Sequence, residues 1–133
     1  GENSCGLLFK ECYQGKNPNV YYFRKNSAAS NISEEDIDEE YIKNSKILHI
    51  TGITPALSKS CRKAVYKAIQ IAKENNVLIS FDPNIRLKLW DIREAKKVLL
   101  DIASHADIVL PGIDEGQLLL GLEDKDEICD YFI

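Results

Sequence analysis

The sequence predicts an α/β protein with a parallel β-sheet and an N-terminal β-hairpin, and three observations lead to this fold class. Three short apolar runs begin near Ile47, Val77 and Asp107. A segment with helical periodicity follows each run, and two β-prone segments precede them all. An interval of about 30 residues is typical of a βαβ unit, so we expect parallel strands with right-handed crossovers. Their largely apolar character favours coverage by helices on both faces.

The N-terminal hairpin is predicted from the β-prone segments 7–13 and 20–24. They flank the stretch 15–19, which is rich in glycine, proline and asparagine and therefore favours a turn. The length of this loop leaves the strand register open. In the second strand, alternation of side chains places Tyr22 and Arg24 on the same face.

An acidic helix is predicted between the hairpin and the first parallel strand. Ser33 and Asp36 have the spacing of a capping box, and Ile32 and Ile37 have that of a hydrophobic staple. These signals predict a helix over residues 34–42.

The first strand and helix of the parallel sheet begin with the β-prone run 47–51. Gly52 and Pro55 predict a loop after it. From Ser58 onward, small and aliphatic side chains recur every three or four residues, as on one face of an amphipathic helix. The asparagine pair at 75–76 predicts the end of that helix.

The second and third units repeat this order. The run 77–81 precedes a helix with Asp91 and Glu94 as its capping signal. The run 108–110 precedes a short helix for which Asp114 and Gln117 give the N-terminal signal. Residues 124–133 then predict a helix with an apolar face and no stop signal, so we expect the chain to be a piece of a longer protein.

Composition and charge exclude several classes of protein. The 133 residues carry 17 basic and 21 acidic side chains, with a net charge of −4 and both signs scattered along the chain. Without a basic stripe, nucleic-acid binding is not expected. No apolar run is long enough to cross a membrane, and residues 1–10 lack the order of a secretory signal. We expect a cytoplasmic protein with no membrane partner. The four cysteines form no C-x-x-C pair, which favours free thiols and disfavours a zinc site.

Candidate site residues lie where the predicted parallel strands end, because loops and helix N-termini converge at that edge of an open sheet. The loop 82–90 contains Asp, Asn, Arg, Lys and Trp side chains. The guanidinium of Arg86 presents a fork of donors that matches a carboxylate or phosphate. An internal ion pair for Arg86 is an equally good interpretation from position alone.

Two further candidates have ordinary structural interpretations as well. Glu115 could hold a divalent cation through water, or could simply complement the dipole of a helix N-terminus. Tyr22 and Arg24 together suit a hydroxylated, anionic small molecule, although tyrosine is common in strands. His49 and His105 have no nucleophile or carboxylate in a catalytic arrangement, and the usual phosphate-loop motifs are absent.

Three segments together resemble the middle of a carbohydrate kinase of the PfkB, or ribokinase-like, family. They are the segments 21–30 (YYFRKNSAAS), 48–57 (LHITGITPAL) and 81–90 (FDPNIRLKLW). The D-x-N-x-R…W pattern of the third is the most family-like motif. The first points to the 2-keto-3-deoxygluconate kinase branch.

The resemblance implies a ribokinase-like (Rossmann-like) core and ATP-dependent, Mg²⁺-assisted phosphorylation of a sugar acid on its terminal hydroxyl. Residues 1–30 would form a hairpin on the substrate side, and residues 31–133 would form the βα repeats of the core. The positions that match substrate-site residues of such kinases are Tyr22, Arg24, Ile53 and Arg86. Asn84 matches a position near the transferred phosphate, and Glu115 matches the acid of the family's N-x-x-E motif, which organises Mg²⁺ through water.

The chain departs from the family pattern in three ways. Gly112 stands where the N-x-x-E motif has Asn, and Leu8 stands where close relatives often have Tyr. The G-A-G-D segment, whose Asp removes the substrate hydroxyl proton, does not occur. Because phosphoryl transfer depends on positioning and electrostatic stabilisation, we expect these 133 residues alone to be inactive. We also expect self-association through sheet edges that a longer protein would cover.

Alternative functions stay open at this stage. The substrate could be fructose or another uncharged sugar, and the same sheet could serve a non-catalytic sensor of sugar acids or nucleotides. A flavodoxin-like signalling domain is the weakest alternative, because the loop after Asp82 is basic and aromatic and does not provide the clustered acids that such a domain needs.

Overall fold

The described residues form two separate β-sheets. The structure, a computed structural model, describes residues 4–12, 15 and 18–133. Strands β1 (Leu7–Glu11) and β2 (Asn19–Phe23) form an antiparallel pair. Strands β3 (Ile47–Thr51), β4 (Leu78–Asp82) and β5 (Ile108–Val109) form a parallel sheet in the order β3-β4-β5. The predicted α/β class is therefore confirmed.

The hairpin pairs Leu7 with Phe23 at one end and Glu11 with Asn19 at the other. Strand β1 ends at Glu11, before the end of the predicted segment 7–13, and β2 has the predicted length but lies one residue earlier than the segment 20–24. Residue 13 of the first segment and residues 16 and 17 of the predicted turn lie outside the described residues. The rings of Phe9 and Phe23 meet edge to face, with centroids 5.7 Å apart. The Arg24 guanidinium carbon lies 4.5 Å from the centre of the Tyr22 ring. Tyr22 and Arg24 thus share a face, as the alternation predicts.

The single helix predicted over residues 34–42 is wrong. A 3₁₀ turn, Glu34–Asp36, ends at Ile37 in extended backbone, and helix α1 (Glu39–Lys43) begins after it. The Ser33–Asp36 capping box is present at the first element. The break has a local cause, because the carboxylate of Asp38 accepts a hydrogen bond from the Tyr41 N–H and so starts a new helix. Another 3₁₀ turn, Ala28–Asn31, precedes this region.

Five helices lie after β3: two between β3 and β4, one between β4 and β5, and two after β5. They are α2 (Ile53–Leu57), α3 (Lys59–Glu74), α4 (Ile92–Ala103), α5 (Ile113–Leu120) and α6 (Lys125–Tyr131). The predicted cap of α4 is confirmed, because Asp91 accepts from Arg93 N and Glu94 N. Helix α3 is capped by Ser58, which accepts from Cys61 N.

Two local predictions in this region are wrong. The predicted loop 52–55 overlaps the start of α2. Pro55 is compatible with this helix because it lies in the first turn, where its missing N–H costs nothing. Helix α5 is capped by Gly112, with Glu115 bonding back to it, so Asp114 and Gln117 do not mark its start. The four cysteines are free thiols, as predicted.

The hydrophobic core lies on one face of the parallel sheet. Ile50, Ile79 and Phe81 belong to a buried cluster that includes Ala72 of α3 and Leu99 of α4. Helices α3 and α4 are also joined at their surfaces by an Arg62–Glu94 ion pair of 2.7 Å and by a hydrogen bond from Tyr66 to Asp101. Trp90 is buried in the same cluster, and the Arg62 guanidinium carbon lies 5.6 Å from the centre of its ring.

The opposite face of the sheet is not covered within the described ranges, so the prediction of helices on both faces is wrong for this chain. Ile47, Leu78 and Ile108 project from that face with 51%, 48% and 42% of their surface exposed. His49 Nδ1 and Ser80 Oγ lie 3.1 Å apart on it. No described helix is long and apolar enough to cross a membrane.

Candidate functional site

The candidate site is built where β3 and β4 end and α5 begins. Gly52 follows β3 directly, and its N–H donates to the carbonyl oxygen of Asp82 at 2.8 Å, which holds the two strand ends together. A Cβ at Gly52 would lie 1.9 Å from the Pro83 carbonyl oxygen. Only glycine therefore allows this close approach between the first residues of the two loops.

The loop after β4 is held in an uncommon backbone conformation. Asn84 has a φ of 39°, in the left-handed region that asparagine tolerates better than most residues. Its N–H donates to Asp82 Oδ1 at 3.0 Å, and its side-chain amide donates to Thr51 Oγ1 at 3.3 Å. Two strand ends therefore fix the position of Asn84.

Glu115 ties the same loop to helix α5. Its Oε1 accepts a hydrogen bond from the Ile85 N–H at 2.7 Å, and its Oε2 accepts one from the Gly112 N–H at 3.1 Å. Glu115 is half-buried. A single carboxylate thus joins the segment after β4 to the segment after β5.

A cleft of about 720 Å³ lies between the hairpin and this edge of the sheet. The second strand of the hairpin and the residues after it form one wall, and the end of α2 and the loop before α4 form the other. Its lining residues are Tyr21, Tyr22, Phe23, Arg24, Lys25, Asn26, Ser30, Asn31, Ala56, Leu57, Ser58, Lys88 and Leu89.

The described lining of the cleft carries positive charge without a matching acid. Arg24, Lys25 and Lys88 belong to it, and none of the described lining residues is Asp or Glu. The ion pairs found between described side chains involve none of these three cations. Hydroxyl and amide groups of Tyr22 and Asn31 are also at its wall. This combination suits a small molecule that carries both hydroxyl groups and an anionic group.

A sequence profile of the family described as pfkB family carbohydrate kinase matches residues 2–131. The chain belongs to the pfkB family of carbohydrate kinases. The family resemblance seen in the sequence is confirmed, and with it the ribokinase-like fold.

Known relatives of this pfkB chain agree with that assignment. It is 39% identical over 133 residues to 2-dehydro-3-deoxygluconokinase of Bacillus subtilis (strain 168), covering 99% of this chain and 41% of that enzyme. Its fold matches the crystal structure of a PfkB protein from Polaromonas sp. JS666 with a TM-score of 0.92 at 34% identity, covering 98% of this chain and 44% of that one. A putative ribokinase II from E. coli, solved with ATP and Mg²⁺, matches with a TM-score of 0.77 at 32% identity, covering 87% and 37%. The chain thus spans less than half the length of these proteins.

The structure divides the predicted site residues of the pfkB chain into two groups. Tyr22 and Arg24 line the cleft. Asn84 and Glu115 lie at the strand ends, joined through the backbone of the loop after β4. Arg86 lies on that loop, two residues after Asn84 and two before the cleft-lining Lys88; its side chain is exposed and bonds to no described residue.

Three more residues need to be placed: Ile53, which is a predicted site residue, and Lys25 and Lys88, which are not. Ile53 begins α2, and the opposite end of that helix lines the cleft. Lys25 and Lys88 were not singled out, although Lys25 follows Arg24 directly and Lys88 belongs to the nominated loop 82–90, two residues after Arg86. Their relevance depends on the hairpin packing beside the loop 82–90, a contact that no local pattern indicates.

The residues of this pfkB chain do not by themselves fit a Mg²⁺ site. Residues 4–12, 15 and 18–133 contain no group of three His, Cys, Asp or Glu side chains arranged to hold a metal ion. Both carboxylate oxygens of Glu115 accept backbone N–H groups, and Asp82 Oδ1 accepts the Asn84 N–H. At this edge, the observed hydrogen bonds of these carboxylates hold the loops in position.

Proposed function

We propose that the protein carrying this chain transfers phosphate from ATP, with Mg²⁺, to the terminal hydroxyl of a sugar acid such as 2-keto-3-deoxygluconate. The chain supplies the sugar-acid side of the site. By itself, as a segment less than half as long as its relatives, it is proposed to be inactive.

The observation that carries this proposal is a cleft whose described lining contains three cations and no acid. Arg24 is half-buried and stacked on Tyr22, so its guanidinium is held in place before a ligand binds. Lys25 and Lys88 add two exposed ammonium groups to the same cleft. A carboxylate bound there would meet positive charge from the hairpin and from the loop before α4, whereas an uncharged sugar would leave that charge unused.

Relatives support the same substrate class. Besides the Bacillus subtilis enzyme, the 2-dehydro-3-deoxygluconokinase of Thermoproteus tenax is 40% identical over 110 residues. Their names describe the phosphorylation of a keto-deoxy sugar acid, which combines the hydroxyl and carboxylate groups that the cleft suits.

In this proposal each site residue has a positioning role. Tyr22 contacts a substrate hydroxyl, Arg24 and Arg86 bind the carboxylate and neighbouring hydroxyls, and Ile53 packs against the sugar. Asn84 lies near the path of the transferred phosphate. Because such a transfer gains most of its rate from positioning and from stabilisation of charge, misplaced binding residues lower kcat/KM strongly.

The test compares charge-removing substitutions in the longer kinase that contains this chain. Arg24→Gln and Lys88→Gln each remove one cation from the cleft, and Lys97→Gln on the exposed side of α4 is the matched control. We expect kcat/KM for 2-keto-3-deoxygluconate to fall about tenfold to a hundredfold in the first two variants, as for a lost charge-assisted hydrogen bond. The control should stay within about twofold.

Fructose distinguishes the alternative substrate class. A probable fructokinase-4 of Arabidopsis thaliana is 32% identical over 107 residues, so a neutral sugar is the second candidate. If the unsubstituted protein prefers fructose, or if Arg24→Gln and Lys88→Gln lower activity equally with both sugars, the sugar-acid proposal is wrong.

Two further proposals concern the chain by itself. ADP formation by the purified 133-residue chain with 2-keto-3-deoxygluconate would contradict the proposed inactivity. Self-association through the outer edges of β3 and β5 predicts a dimer or larger assembly in light scattering, and a monodisperse monomer would contradict it.

A further inference from the structure

We propose that Glu115 is a positioning residue for the loop that carries Asn84 and Arg86, and that this role replaces direct organisation of Mg²⁺ in this chain. The inference rests on the proposed function, which makes that loop part of the substrate site. Its structural part is independent of which sugar is phosphorylated.

Both oxygens of the Glu115 carboxylate are engaged by backbone N–H groups. Each oxygen of Glu115 accepts one backbone N–H, from Ile85 at 2.7 Å and from Gly112 at 3.1 Å. Hydrogen bonds to an ionised acceptor are stronger than neutral ones, and the half-buried position reduces competition from water. Each oxygen keeps a second lone pair, but a cation that drew the carboxylate away from its present position would break one or both of these bonds.

Ile85, which donates to Glu115, adjoins two predicted site residues. It lies between Asn84 and Arg86, so the bond to its N–H holds the backbone between the two predicted site residues. On the preceding side, Asn84 is restrained by Asp82 and Thr51. Its φ of 39° is a conformation that persists only when surrounding contacts enforce it. Glu115 is the contact that enforces it from the side of α5.

The N-cap residue of α5 is a glycine, Gly112. Gly112 caps α5 without a side chain, so no side-chain acceptor at the cap serves the first turn of this helix. The Gly112 N–H instead bonds back to Glu115, three residues later. Among the described residues, Glu115 is the side chain that hydrogen-bonds both to the start of α5 and to the loop after β4.

The experiment compares Glu115→Gln with Asp114→Asn. Both substitutions remove one negative charge from the first turn of α5, but Asp114 is exposed and makes no side-chain bond with the described residues. The glutamine side chain keeps one oxygen and replaces the other with a donor, so at least one of the two N–H bonds is lost.

Amide hydrogen exchange is the primary measurement. In the unsubstituted protein, the Ile85 N–H should be protected. In Glu115→Gln, exchange at Ile85 or Gly112 should rise about tenfold or more, as for the loss of a hydrogen bond to a charged group, and in Asp114→Asn it should not. A freely exchanging Ile85 amide in the unsubstituted protein, or unchanged exchange at both amides in Glu115→Gln, would overturn the proposal.

Kinetics on the same variants separate positioning from metal binding. Positioning predicts that Glu115→Gln raises the KM for the sugar acid while the Mg²⁺ concentration for half-maximal activity stays the same. A tenfold rise in the Mg²⁺ requirement with an unchanged sugar KM would overturn it. If the unsubstituted protein phosphorylates no sugar acid, the proposed function fails, and the exchange measurement still decides the role of Glu115.

Discussion

Replacing Gly52 with alanine would place a methyl carbon 1.9 Å from the Pro83 carbonyl oxygen and 2.7 Å from Leu99 Cδ2. The backbone of Gly52 has a φ of −64°, which any residue adopts, so the conflict is purely steric. The Leu99 methyl can turn aside, but the Pro83 oxygen belongs to the backbone. The strand ends would therefore have to separate by about 1 Å to restore an ordinary contact.

The cost of this separation follows from what it disturbs. Forcing an extra methyl into a packed site costs about 1–3 kcal/mol, and a backbone obstacle places Gly52→Ala near the upper end. Loss of the 2.8 Å bond from Gly52 N to Asp82 O adds about 1 kcal/mol. Alanine recovers about 0.5 kcal/mol or more by restricting the unfolded chain. We expect a net destabilisation of about 3 kcal/mol.

Urea unfolding followed by circular dichroism measures this change in the free energy of unfolding. The matched control is Gly112→Ala, whose new methyl would lie 3.6 Å from Glu115 Oε2, at ordinary contact distance. The control should lose only about 0.5 kcal/mol, the difference between glycine and alanine at an N-cap. A loss below about 1 kcal/mol for Gly52→Ala would refute the steric argument, since an average point substitution with no such clash costs about that much.

Three other outcomes follow from local contacts. Burial, followed by the hydrogen bond to Asp101, raises the pKa of Tyr66 to about 12. Its contribution to stability is therefore complete below about pH 10 and is lost as the pH rises towards 12; an absorbance titration should show one late tyrosine that disappears in Tyr66→Phe. Asp91→Ala should cost about 1 kcal/mol in urea unfolding by removing the cap of α4, and Asp91→Asn should cost much less. Gly112→Asn should unfold at the same or a slightly higher urea concentration, because there is room for its Cβ and asparagine is a better cap than glycine.

Local signals in the sequence were sufficient for most of the fold. The apolar runs, the helical periodicity that starts at Ser58 and the cap Asp91 are each visible among neighbouring residues, and the structure places β3, β4, α3 and α4 within one residue of the predicted starts. The helix over 34–42 failed because Ser33 and Asp38 are both good caps, and a pattern that recognises one does not say which helix each begins.

The site could be predicted only in part, because its decisive contacts join distant segments. Asn84 and Glu115 follow from the family resemblance, but the bond from Ile85 to Glu115 spans 30 residues and has no local signal. Lys88 gains its importance only because the hairpin packs beside it. The open face of the parallel sheet was missed for a related reason: apolar strands predict that both faces will be covered, but no local pattern says which segments pack against each face.

Trp90 gives this chain a built-in optical reporter. It is the one tryptophan in the sequence, it is 92% shielded from solvent by the core, and it ends the loop that carries Asn84, Arg86 and Lys88. Its indole N–H has no hydrogen-bond partner among the described residues, and a guanidinium sits beside its ring. Its fluorescence therefore arises from a single site, and a shift in emission on adding a sugar acid would register movement of that loop without any label.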